Sequence, residues 1–149
     1  MQMRHKVLNE SGGQRTLAVV LETGEEAMER LSAFAKEQRL SAAQITGIGA
    51  FGEVVLKYFD WERREYLSNH VGEQVEVASL IGDVVLDPSG EPSVHVHLVV
   101  GRRDGTALAG HLGSGLVRPT LEIIIEESPA HLRKRKDPQS GLALIRLEN

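Results

Sequence analysis

The sequence predicts an α+β fold, a largely antiparallel sheet with one main amphipathic helix. Apolar residues recur at helical intervals in one segment, residues 25–38, where Ala27, Met28, Leu31, Phe34 and Ala35 mark a single face. Most of the remaining chain alternates, or runs in short β-branched stretches, between turn residues such as Asp87-Pro88-Ser89-Gly90 and Asp104-Gly105. A chain of 149 residues without repeats or low-complexity segments fits one domain, 1–149.

The elements follow in order. Leu17, Val19, Val20 and Leu21 place a first strand at residues 15–21. Thr23-Gly24-Glu25-Glu26 has capping-box spacing and opens the helix, whose Glu29, Arg30, Lys36, Glu37 and Arg39 form a solvated face. Ser41 is suited to cap a short helical turn. Strands are then expected at residues 44–48, 53–58 and 64–68. Between the first two, Gly47-Ile48-Gly49-Ala50-Phe51-Gly52 opens no helix, so it reads as a tight bend and not as a dinucleotide loop. A β-rich stretch covers 75–81 and 83–86, with Gly82 as a bulge or bend. The chain then turns into a strand at 94–101, its hairpin partner at 106–111, a strand at 120–126 and a last one at 142–147.

Composition narrows the function classes. The absence of cysteine removes disulfides and thiolate metal sites and fits a reducing compartment. No stretch approaches the ~18 apolar residues that span a membrane, so a soluble, cytoplasmic protein with no membrane partner is expected. The formal charge of −4 offers no bulk attraction to phosphate. Arg133-Lys134-Arg135-Lys136 is the basic run on which nucleic-acid binding would have to rest.

Three of the six histidines carry the chemistry: His95 and His97 in Ser93-Val94-His95-Val96-His97, and His111 in Gly110-His111-Leu112. In a strand His95 and His97 share a face, which suits a divalent metal such as zinc held by neutral imidazoles with a fourth position open. Whether His111 joins them depends on the hairpin. A five-residue loop sets His95 opposite His111, a three-residue loop sets His97 opposite it, and a two-residue Asp104-Gly105 turn sends His111 to the other face. Glu122 is the carboxylate proposed beside them, as a support for a ligand, a fourth ligand or a base acting on metal-bound water. Ser114 lacks the spacing of a nucleophile elbow.

Taken together, Thr23-Gly24-Glu25, Ile45-Thr46-Gly47-Ile48-Gly49-Ala50, Lys57-Tyr58-Phe59-Asp60, Glu65-Tyr66, Val75-Glu76-Val77-Ala78-Ser79-Leu80-Ile81-Gly82, His95-Val96-His97, Gly110-His111-Leu112, Thr120-Leu121-Glu122 and Asp137-Pro138-Gln139-Ser140-Gly141-Leu142 resemble the plants-and-prokaryotes-conserved (PPC) domain. The resemblance runs over about 130 residues and implies a compact α+β domain assembling as a homotrimer. It also implies a metal ion on three motif histidines, which map to His95, His97 and His111. Plant relatives carry AT-hooks and bind A/T-rich DNA, whereas this chain contains no arginine-glycine-arginine-proline core. The expectation is therefore a trimeric metal-binding domain, with DNA-associated regulation and metal-dependent hydrolysis or hydration as the rival activities, and with a small-molecule ligand or DNA as further partners.

Overall fold

The computed structural model describes residues 2–148. Strands make up 65% of it and helix 7%, so the expected α+β class is corrected to a predominantly β domain with one short helix. The strands are β1 (Arg4–Ser11), β2 (Gln14–Glu22), β3 (Ala42–Asp60), β4 (Glu65–Val71), β5 (Val75–Leu86), β6 (Pro92–Gly101), β7 (Ala107–Glu127), β8 (Arg133–Lys136) and β9 (Ala143–Arg146), with α1 (Ala27–Glu37) between β2 and β3.

The sheet outweighs expectation because several strands run on through residues that ordinarily interrupt them. β3 passes through Gly47, Gly49 and Gly52 for 19 residues and accommodates them as irregularities in register, not as a bend. Likewise β7 continues for 21 residues through Pro119. β1 is exposed along its whole length and shows no alternating pattern, yet it pairs with β2 across Gly12 and Gly13, whose φ values of 61° and 82° suit a tight hairpin turn. The sheet is also mixed, since β8 joins β5 in parallel at Leu86 and Arg133.

Along the sheet the order is β1-β2-β7-β3-β5-β8-β9, with β4 added to β3 and β6 bonded to both β5 and β7. Strands β7, β3, β5 and β6 thus form a closed circuit of antiparallel ladders. Alternation, reset at the register shifts within β5 and β3, sends Val96, Leu98 and Val100 of β6, Val77 and Leu80 of β5, and Ile45, Phe51 and Leu56 of β3 into one buried cluster.

α1 packs Ala27, Leu31, Phe34 and Ala35 against β6 and β7. It starts later than the Thr23 spacing predicts. Glu26 is the N-cap, its carboxylate accepting from the backbone N–H of Met28 and Glu29 at 3.2 and 2.7 Å. Thr23 instead donates its hydroxyl to Pro119 O at 2.9 Å, and buried Glu25 accepts from the N–H of Met3 and of Glu22. Ser41 caps no helical turn, because the chain enters β3 directly and Glu127 accepts from the Ser41 N–H.

Gly82 is neither bulge nor bend. It sits in a regular part of the β5–β6 ladder, opposite Val96, where an added Cβ would stand 2.9 Å from Val96 Cα. Close approach of the two backbones explains the glycine.

Candidate metal centre

His95 and His97 alternate on β6 with buried Val96 and Leu98, so both imidazoles lie on the outer side of the sheet. The next hairpin turns at Arg103-Asp104-Gly105, pairing Gly101 with Ala107 and therefore His97 with His111. This is the three-residue alternative, and its odd loop keeps His111 on the same face.

The three rings converge. His95 Nε2 lies 3.1 Å from His97 Nε2 and 3.1 Å from His111 Nδ1, and one nitrogen from each ring falls within 4.8 Å of the other two. Nitrogens at ~2.0–2.1 Å around a tetrahedral zinc ion would stand roughly 3.3 Å apart, so the observed spacing fits such an ion. His111 is held from the side by Tyr66 of β4, edge-on with ring centroids 5.1 Å apart, and Tyr66 in turn meets Phe59 at 5.3 Å. Sequence patterning gave no sign of this aromatic brace, because β4 carries no alternation in burial.

The surroundings of His111 and His95 favour their neutral forms. Crowding by protein atoms, followed by the neighbouring charges of His97 and His95, pushes His111 down from 6.5 to about 4. His95 is also lowered, first by desolvation, then by Lys134 and His97, while Asp83 acts in the opposite direction. Neutral rings at pH 7 keep the lone pairs that a metal requires.

Glu122 does not join the cluster. It sits on β7 opposite Val20 of β2 and Ile48 of β3, eleven residues along that strand from His111. The carboxylate beside the histidines is Asp83 of β5, directly across from His95.

The basic run is also divided. Lys134 is 7% exposed and lies on the buried side of β8, Arg133 donates to Pro88 O at 2.9 Å, and Arg135 pairs with Glu148 at 2.9 Å. Strand alternation therefore breaks up what reads in sequence as a continuous patch. The same outer face as the histidines carries Ile81 opposite His97, then Thr46, Ile124 and Ala18 in one row, with Ile48 nearby. Ile48, Ile81 and Ile124 are 59%, 56% and 39% exposed.

A β domain with a three-histidine cluster on the face of its closed circuit defines the class. The chain belongs to the Plants and Prokaryotes Conserved (PCC) domain family, whose profile matches residues 8–129. Among solved structures, a plant- and prokaryote-conserved (PPC) protein of Pyrococcus horikoshii is 32% identical, covering 95% of this chain and 99% of that one, with a TM-score of 0.82. A metal-containing protein of Archaeoglobus fulgidus is 28% identical over 99% of both chains, with a TM-score of 0.81. A protein of Bacteroides thetaiotaomicron, described as a candidate for DNA binding, is 29% identical over 95% of this chain and 96% of its own, with a TM-score of 0.85. The chain also matches part of the bifunctional protein GlmU of Synechococcus, 30% identical over 141 residues. That match spans 93% of this chain and 21% of the longer protein.

Proposed function

We propose that this chain is a metal-binding domain that holds a divalent ion, zinc by preference, through His95, His97 and His111 and works as a homotrimer in the cytoplasm. The observation that carries the reading is the convergence of three imidazole nitrogens within 4.8 Å on one sheet face. Three neutral nitrogen donors suit zinc and leave a position for an oxygen ligand, which a bound ion would polarise as a Lewis acid. The description of the Archaeoglobus relative as metal-containing supports the same assignment. For assembly, the support is family resemblance together with the exposed isoleucines beside the site. For localisation, it is the cysteine-free composition; among the described residues no helix is long and apolar enough to cross a membrane.

The test is elemental analysis of untagged protein prepared without added metal, alongside His97→Ala. About one ion per chain in the parent, lost in the variant without unfolding, is expected. Equal metal content in both would refute the assignment. DNA binding is the second reading, favoured by the description of the Bacteroides relative, and the burial of Lys134 together with the engagement of Arg133 by Pro88 and of Arg135 by Glu148 weighs against it.

A further inference from the structure

Strand register sets Asp83 directly across from His95 in the antiparallel β5–β6 ladder, so the two side chains share a face at neighbouring positions. One carboxylate oxygen of Asp83, Oδ1, is buried and has no hydrogen-bond partner among the described residues. Leaving such an acceptor unmet forfeits its hydration with nothing in return, and native structures carry few of them. His95 holds the complementary vacancy. Its Nε2 faces His97 and His111, which leaves Nδ1 on the side of the ring away from the cluster. Around the same ring, buried Lys134 and Asp83 act on His95 with opposite sign.

We propose that Asp83 is the positioning carboxylate of the histidine cluster: when His95 Nε2 serves a divalent ion, its Nδ1–H donates to Asp83 Oδ1. The inference rests on the metal reading above and assigns Asp83 no contact with the ion. The hydrogen bond fixes one tautomer, restrains rotation of the ring and raises the basicity of Nε2, as carboxylates do for histidine ligands in general. It also gives the buried oxygen the donor it lacks.

The experiment uses the full chain with zinc as probe. Affinity is measured by competition with a chromogenic chelator for the parent, Asp83→Asn, Lys134→Met and His95→Ala, and the His95 tautomer is read by long-range proton–nitrogen correlation in the zinc-loaded parent. Asp83→Asn is expected to weaken zinc roughly 10–100-fold while the metal-free melting temperature is maintained or rises. His95→Ala is expected to lose more. The parent should show His95 protonated at Nδ1 with a slowly exchanging proton that Asp83→Asn loses, and Lys134→Met should keep that proton. Parental affinity in Asp83→Asn with loss in His95→Ala would overturn the role of Asp83 and leave the metal site standing. Parental affinity in His95→Ala would instead remove the metal reading beneath it. Should Asp83→Asn fail to fold, an Nε2-protonated His95 in the zinc-loaded parent would overturn the proposal by itself.

Discussion

Replacing Gly82 with alanine tests the site through the backbone that spaces it. The new Cβ would lie 2.9 Å from both Val96 Cα and Val96 Cγ2, and closer still to the carbonyl oxygen of His95, whereas ordinary contact begins at 3.4 Å. Backbone atoms cannot rotate aside, so β5 and β6 must part by about half an ångström or more at that rung. Overpacking of this kind costs ~1–3 kcal/mol, and weakening the backbone hydrogen bonds of the adjacent rungs adds about 1 kcal/mol or more. A loss of roughly 2–5 kcal/mol in a chain of this size lowers the melting temperature by about 5–15 °C. Because Val96 lies between His95 and His97, the same displacement should weaken zinc binding by about tenfold or more. Gly101→Ala is the matched control, since an added Cβ there meets nothing within 4 Å. Thermal melts of the metal-free proteins and zinc competition decide the matter. A Gly82→Ala protein with the melting temperature and zinc affinity of the Gly101→Ala control would refute the close-approach argument.

The remaining predictions concern pH, assembly and DNA. His111 has a folded pKa of about 4 against an ordinary 6.5, so the folded state resists the proton. Metal-free stability should be full above pH 6.5 and fall as pH drops from there toward 4; a urea midpoint flat across that window, or His111→Ala with an undiminished slope, would contradict this. Light scattering should return a trimer mass at micromolar concentration, and a double Ile48→Asp, Ile124→Asp variant should return a monomer; a monomeric parent would refute the assembly. Binding to A/T-rich and scrambled duplexes at about 0.15 M salt should be equally weak, because the arginines and lysines of residues 133–136 do not present one patch; tight, selective binding by the parent would reverse the ranking.

How much of this was legible in the sequence depends on which signal each feature uses. The helix announced itself through its period, and only its start moved, because Glu26 out-competes Thr23 as cap by accepting from two N–H groups. β1 was invisible because a wholly exposed strand has no alternation to read. The lengths of β3 and β7 were hidden by glycines and Pro119, which local rules treat as breaks but long ladders absorb. The histidine triad was legible up to the hairpin loop, whose residue types favoured the wrong parity while the ladder adopted the three-residue turn. Asp83 was missed where Glu122 was named, although the same parity argument applied to the turn at residues 87–91 sets Asp83 against His95. Both are acidic residues in apolar strands, and only register separates them.

The closed circuit has one more consequence. Its β6–β7 seam spans five residue pairs, from His97–His111 to Gly101–Ala107, whereas β5 and β6 pair over nearly the whole length of β6. At one end the seam is tied by the covalent hairpin; its other end is the histidine rung. Breathing of the circuit should therefore start at that rung and run toward the hairpin, as a zipper opens from its loose end. An ion gripping His97 and His111 would act as the stop at that end. Amide hydrogens along the seam should then exchange with solvent more slowly in the metal-loaded protein than in the metal-free one, while those of the β1–β2 hairpin, outside the circuit, should exchange at the same rate in both.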